Sequence, residues 1–461
     1  MNSKNLDLII SDYITGDLEE NDTHFNSSKL AILDTIGCII EASNHDDVFQ
    51  FASKNNLNLD FKNPFKNISV NESYENLSWY LTVLTRWFDY NDTFLAKEWA
   101  HPSDNFGSIY SYFFKNKNYK FNDFTNALTK AYEIQGSLCL GTSLNKLGYD
   151  HVFYVKLASG SVFSCLVNNG DTNAIRRTVN NILLDGPSLR AYRHFPNVGK
   201  RKSWAAADAS KRGIELAIIS NYEDEIYESV QNENKWGFES SFLANSKIEF
   251  GKDLNNWVIQ NILFKVLFPA EFHGQSAVEA AIELSEEFNK NINKFEKVNI
   301  YTHEPAMRII SNKEVLKNAS DRDHSMEYMV AAALLYGELK YEMYEESFEG
   351  FENINNLRKK IFVSEQPQFT KDYYEFSKRY ISNSIEIVYN DNSTSEKITI
   401  ENPIGHPSRR EEAIPLLKDK FLRNVESLFD TEEALEVWDK IINLEKDDDL
   451  NKFFNILNED E

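Results

Sequence analysis

Asp89, Asp92, Thr93, Glu98 and His101 lie within WFDYNDTFLAKEWAHPSDN, Trp87 to Asn105, a stretch with no sustained helix or strand period. Carboxylates, a hydroxyl and the one side chain that ordinarily titrates near neutrality are the equipment of general acid and base chemistry. A loop is where such groups can reach a ligand. A structural reading competes, in which Asp92 or Thr93 caps a following helix and His101-Pro102 merely breaks the chain. The density of reactive groups favours chemistry over packing.

Further segments combine polar reactivity with turn residues. Tyr149-Asp150-His151 sets an imidazole at a helix start, where Asp150 would cap and the helix dipole would disfavour the imidazolium; alone, this is a structural arrangement. From Ser188 to Lys202, SLRAYRHFPNVGKRK holds five cations and His194 with no acid. That run enters a helix N-terminus at Lys200, Arg201, Lys202 and Trp204, where backbone N–H groups add to the attraction for an anion. FPAEFHGQ gathers Glu271, His273 and Gln275, with Lys265 just before it, around a turn at Pro269. Asp321, Arg322, Asp323 and His324 precede a helix carrying Tyr328, and GHPSRREE pairs His406 with Arg409 and Arg410.

The elements that must hold these groups are mostly helices. Apolar residues three or four apart predict helices over Ser28 to Ala42, Phe124 to Cys139, His151 to Val167, Ala174 to Leu184 and Trp204 to Ile219, and a helix ending near Trp87. Beyond Lys265 the pattern changes: a helix from Ser276 to Phe288, an alternating strand from Lys297 to Glu304, a helix from Ser325 to Leu339, and a β-hairpin in SIEIVYNDNSTSEKITIE. Helices return after Arg409. The expected fold is mainly α with a smaller α+β domain. Residues 1–264 and 401–461 would form one large helical domain, residues 265–400 an inserted α+β lid, and the cleft between them the ligand site.

Length and composition agree with two units. A chain of 461 residues with 42% hydrophobic content can bury a large core, and more than one is the natural expectation. It contains no run of eighteen apolar residues, and its N-terminus, MNSKNLDLIISDYITGD, has no secretion signal, so a cytoplasmic location is expected. A net charge of −23 argues against nucleic acid and anionic membranes as partners. Cys38, Cys139 and Cys165 are odd in number and far apart, which reads as reduced, buried thiols and makes an iron–sulfur cluster unexpected. The acidic tail Glu459 to Glu461 is expected to fray.

Six blocks together resemble the MmgE/PrpD family, nearest to its branch that dehydrates 2-methylcitrate in propionate catabolism. They are RWFDYNDTFLAKEWAHPSDN, LGYDHVFYVKLASG, SLRAYRHFPNVGKRKSWAAADASKRG, LFPAEFHGQSAVEAA, DRDHSMEYMVAAALLYG and NPIGHPSRREEAIPLL, in the family's order. The likeness runs from about Asp89 to Leu417; the first eighty residues carry no motif. It implies a helical domain plus an α+β lid, a homodimer, a small tricarboxylate substrate, and elimination of water without cofactor or metal. Positions matching site residues proposed in the family's decarboxylase branch are Asp89, Thr93, His101, His151, Lys202 and Tyr328, with Lys265 a looser match. Ala100 and Ala207 depart from the family, whose dehydratases commonly have Gly there; slight pocket narrowing is the expected effect.

On that resemblance, His101 and His151 are expected to act as acid and base in an order left open, with Asp89 orienting one of them. Lys202, with Arg201 or Lys265, would stabilise the enolate-like charge, Thr93 and Tyr328 would hydrogen-bond the substrate, and His273 and His324 would complete the pocket. Glu98 and Asp104 are expected to play supporting parts. A cis-aconitate decarboxylase or a citrate/cis-aconitate hydratase on the same fold stands as the alternative, and a non-catalytic tricarboxylate-binding protein stands behind both.

Overall fold

The computed structural model describes residues 5–19, 21–54, 63–66, 68–194, 196–311 and 315–458. Helix Asp22–Ser43, entered through an Asn21 side chain that accepts from the His24 N–H, is buried along most of its length. Tyr74–Arg86, Phe121–Gly141, Arg410–Val425 and Thr431–Ile442 all pack against it. One apolar core therefore unites both chain ends, drawing on Leu6 to Val266 and again on Ile404 to Leu457. Lys420 crosses this junction, its Nζ 2.6 Å from Asp34 Oδ1 and 2.6 Å from the Tyr90 carbonyl.

Within this part lies a small antiparallel ribbon, β1 (Phe94–Leu95) against β2 (Trp99–Ala100). A second core runs from Phe268 to Ile387 around a four-stranded mixed sheet ordered β4-β3-β5-β6. Strand β3 (Phe295–Thr302) is central; it pairs in parallel with β4 (Ile361–Glu365) and antiparallel with β5 (Asn383–Tyr389), which pairs antiparallel with β6 (Ile398–Ile400). Val298, Ile300 and Thr302 are buried in alternation, so one sheet face meets the core. Helices Gln275–Lys290 and Met326–Tyr336 pack together there.

The molecule is mainly helical, with twenty α-helices and one four-stranded sheet among the described residues, the class the sequence predicted. The predicted helices, strand and hairpin are all present with shifted ends. Met326–Tyr336 stops before the expected Leu339 because Gly337, at φ +68°, adopts the left-handed conformation that terminates it. Helices Leu6–Thr15, Asp46–Ala52 and Leu450–Asn458 were not foreseen. The changeover between cores falls between Val266 and Phe268, just past the expected boundary at 265, and on that packing we propose residues 268–400 as a lid on the helical part, with Lys265 on the helical side. Cys38 and Cys139 are buried, whereas Cys165 is only half-buried. Among the described residues no helix is long and apolar enough to cross a membrane. The expected fraying of Glu459 to Glu461 falls outside the described residues.

Candidate active site

Helix Tyr74–Arg86 delivers Arg86 to a turn in which Asp89 adopts φ +51°, a strained conformation for a residue with a side chain. Arg86 Nη1 donates to Asp89 Oδ1, and also to Asn91 Oδ1 at 3.2 Å. The chain then runs beside Leu263, with Thr93 and Leu263 exchanging backbone hydrogen bonds of 2.9 and 2.8 Å. This pairing brings Lys265 under the turn, its Nζ 3.1 Å from Asp89 Oδ2 and also donating to the Asp89 carbonyl. Burial opposes ionisation of Asp89, but Lys265 and Arg86 outweigh it and hold the carboxyl well below its usual range.

The ribbon folds the chain back so that His101 returns over Asp89. Its Nδ1 lies 2.7 Å from the Asp92 carbonyl and 3.3 Å from Thr93 Oγ1. A carbonyl only accepts, so Nδ1 carries the proton, and neutral His101 keeps its lone pair on Nε2, 3.6 Å from Asp89 Oδ1. Burial, then Arg86, pushes its pKa well below the ordinary value against the pull of Asp89. The capping alternative does not describe this loop. No helix starts at Asp92 or Thr93; Asp92 Oδ1 instead accepts from the Ser103 N–H at 3.0 Å and its hydroxyl at 2.7 Å, latching the loop shut.

His151 precedes helix Val152–Val167, and Asp150 Oδ1 accepts from the Val152 N–H at 3.1 Å, the predicted cap. The His151 ring centre is 6.2 Å from that of His101. Both its nitrogens are buried without a hydrogen-bond partner. Burial holds it, too, well below the ordinary value, opposed by Asp150 and assisted by Arg193 and Arg190. Arg193 grips Asp150, Nε to Oδ2 at 2.5 Å. Arg190 lies over the Trp99 ring at 5.0 Å and keeps Nη1 buried and unpartnered. The sequence did not single out these two arginines, although both sit in the basic run it made conspicuous; the expected site residues, Arg201 and Lys202, lie at its far end.

From that far end, Lys202 occupies the first turn of Arg201–Ile219 and meets the lid: its Nζ is 2.7 and 2.8 Å from the Asp323 carboxylate and 2.9 Å from His324 Nδ1. Arg86, Asp89, Thr93, His101 and His151 line one cavity with Arg190, Arg193, Lys202 and Lys265; the lid contributes Glu271 and His324 to its wall.

Three expected site residues are not brought to this wall. Tyr328 is fully buried in the second core, where it donates to the Met343 carbonyl at 2.6 Å and its ring lies 6.1 Å from that of Tyr344. Arg201 points outward over Tyr192 and Trp204, 3.7 Å from Asp208. His273 sits behind Glu271, Nδ1 to Oε1 at 2.7 Å. Glu98 supports the loop from below, its Oε2 accepting from the Asn145 backbone at 2.7 Å, and Asp104 lies buried with Oδ1 3.6 Å from Arg86 Nε. His406 binds Ser408 while Arg409 pairs with Glu279 at 2.6 Å, both away from the cavity.

Five cations around a buried cavity, against Asp89 and Glu271, suit a ligand with several negative charges. Two neutral imidazoles beside them suit proton transfer. Among the described residues no group of three or more His, Cys, Asp or Glu could hold a metal ion.

Comparison with known proteins agrees in family. Residues 9–251 match the MmgE/PrpD N-terminal domain and residues 268–446 the MmgE/PrpD C-terminal domain. The second match includes helices that pack on the first core, so the division by sequence and that by packing differ at the C-terminal end. Among similar proteins, 2-methylcitrate dehydratase of Escherichia coli K12 is 39% identical over 367 residues, 77% of this chain and 76% of its own length. The mitochondrial 2-methylcitrate dehydratase of Yarrowia lipolytica is 34% identical over 435 residues, 91% of this chain and 84% of its own. That of Cupriavidus necator is 34% identical over 434 residues, 91% and 90% respectively.

Proposed function

This chain belongs to the MmgE/PrpD family, and on that premise we propose that it is a hydro-lyase that removes water from 2-methylcitrate to give 2-methyl-cis-aconitate in propionate catabolism. The observation that carries the reading is the buried pairing of two neutral histidines, His101 and His151, inside a ring of five cations. Elimination requires removal of a weakly acidic proton next to a carboxylate while a tertiary hydroxyl departs. Lys202, Lys265 and the three arginines are suited to neutralise the carboxylates and the enolate-like charge that develops.

We assign the base to His101, whose Nδ1 proton is committed to the Asp92 carbonyl and whose Nε2 lone pair is free. Asp89, 3.6 Å from Nε2, shares no proton with the neutral ring but stabilises the imidazolium it becomes. Thr93, within reach of His101, and His151, through its unpartnered N–H, are placed to hold the substrate. His324 and Lys202 are engaged with Asp323, so a substrate carboxylate would compete with that side chain for Lys202.

Incubation of the purified protein with 2-methylcitrate, citrate and cis-aconitate, followed by absorbance and CO2 release, tests the reading. A conjugated alkene formed from 2-methylcitrate without CO2 is the expected result; CO2 from cis-aconitate would identify a decarboxylase instead.

A further inference from the structure

Neutral, buried His101 and His151 supply lone pairs, yet the departing hydroxyl needs a proton. A second hydrogen-bonded chain reaches the same cavity from the lid. Glu271 lines the cavity; its Oε2 accepts from the His273 N–H at 2.8 Å, and its Oε1 lies 2.7 Å from His273 Nδ1. On the other side of that ring, Nε2 is 3.1 Å from the Tyr373 hydroxyl, which donates to the Ala96 carbonyl at 3.3 Å. His273 is fully enclosed and Tyr373 nearly so.

The ends of this chain decide how many protons it holds. The Ala96 carbonyl only accepts, so the Tyr373 proton points to it, and the Tyr373 oxygen must then accept from His273 Nε2–H. Nδ1 and Oε1, 2.7 Å apart, need a further proton between them. Filling all three links thus requires one proton more than a carboxylate and a neutral imidazole contain. The surplus is shared across the Glu271–His273 bond, as an imidazolium facing a carboxylate or a neutral imidazole facing a carboxylic acid; burial favours the second, but His273 outweighs it and holds the Glu271 carboxyl below its usual range.

We propose that Glu271 is a catalytic residue, the general acid that hands this surplus proton to the leaving hydroxyl, with His273 and Tyr373 as positioning residues behind it. The assignment rests on the dehydratase reading above. In the step, the substrate C–H bond breaks with its proton going to His101 Nε2, and the C–H electron pair becomes the new C=C bond. The C–O bond breaks with its pair on oxygen, and the proton from the Glu271–His273 pair completes the water molecule. Exchange with solvent removes the proton from His101 and restores one to the pair, leaving the enzyme unchanged.

A substrate analogue with fluorine in place of the tertiary hydroxyl separates this role from binding or packing, because fluoride departs without needing a proton. With Glu271→Gln, turnover of 2-methylcitrate should fall about a hundredfold, a typical loss for a missing acid, while fluoride release stays within about threefold of wild type. Tyr373→Phe, which keeps the ring and removes one link, is the second variant should Glu271→Gln fold poorly; it should slow the hydroxyl substrate by roughly fivefold and the fluoro analogue hardly at all. Equal losses on both substrates, or near-wild-type dehydration by Glu271→Gln, would overturn the assignment. Absence of 2-methylcitrate dehydration by the wild-type protein would overturn the dehydratase reading itself, and this proposal with it.

Discussion

At the scale of single residues, burial sets the protonation of this site more than any one partner does. His101 and His151 are held well below the ordinary imidazole value chiefly by desolvation, so both stay neutral as pH falls through 6.5. The acid limb of kcat/KM should therefore lie below pH 6.5, measurable from initial rates in constant-ionic-strength buffers; a limb above 7 would contradict the assignment. Their folded-state values are lower than their unfolded ones, so they contribute stability above pH 6.5 that is lost as pH falls through the depressed values. Asp104 works in the other direction. Burial pushes it up to about 8 from an unfolded value near 3.8, and both its oxygens lack hydrogen-bond partners. The folded state holds an extra proton between those values, so the stability it contributes is lost as pH rises through about 8. Asp104→Asn, which mimics the protonated form, should flatten the decline in melting temperature between pH 6 and 9. Lys202→Met should lower kcat/KM by about 10- to 100-fold, the scale of one charge-assisted hydrogen bond.

At the scale of elements, two helix starts carry the chemistry and one crossing sets their separation. Helices Val152–Val167 and Arg201–Ile219 bear His151 and Lys202 at their N-terminal ends and meet where Gly160 faces Gly213. A Cβ on Gly213 would come within 2.6 Å of the Lys156 carbonyl, which belongs to backbone and cannot swing aside. Gly213→Ala should force the helices apart, costing about 1–3 kcal/mol by denaturant titration and also lowering kcat/KM. The helices themselves were legible in the sequence, because apolar periodicity reports a buried face directly. So was the crowded segment around His101, whose mixed polar groups fit no packing pattern. The crossing was not, since a glycine in a helical pattern does not name the backbone it touches. Tyr328 illustrates the same gap: its block was recognisable, but which way the residue faces depends on what the helix packs against, here the segment of Met343 and Tyr344. Arg190 and Arg193 were visible as charge, and the fold alone selected them from their neighbours by turning them toward Trp99 and Asp150.

At the scale of the whole molecule, an acidic protein encloses a basic cavity between two cores. With a net charge of −23, long-range attraction for a tricarboxylate is unfavourable, so capture depends on the local cations of both the helical part and the loop beside the lid. Raising salt from about 0.05 to 0.5 M shortens the Debye length to below about 10 Å and screens this long-range repulsion more than the contacts inside the buried cavity, so KM should fall rather than rise while kcat changes little. The helical part and the proposed lid are tied together by Lys202 to Asp323 and by Arg379 Nη2 to the Leu95 carbonyl at 3.0 Å. We propose a homodimer, for which light scattering should give twice the 53.4 kDa chain mass. The most direct test of the central claim compares dehydration of 2-methylcitrate by the wild-type protein and by His101→Ala, both verified as folded. Wild type should produce the conjugated alkene and His101→Ala should be slower by roughly two to four orders of magnitude; an inactive wild type, or a variant that matches it, would contradict the account.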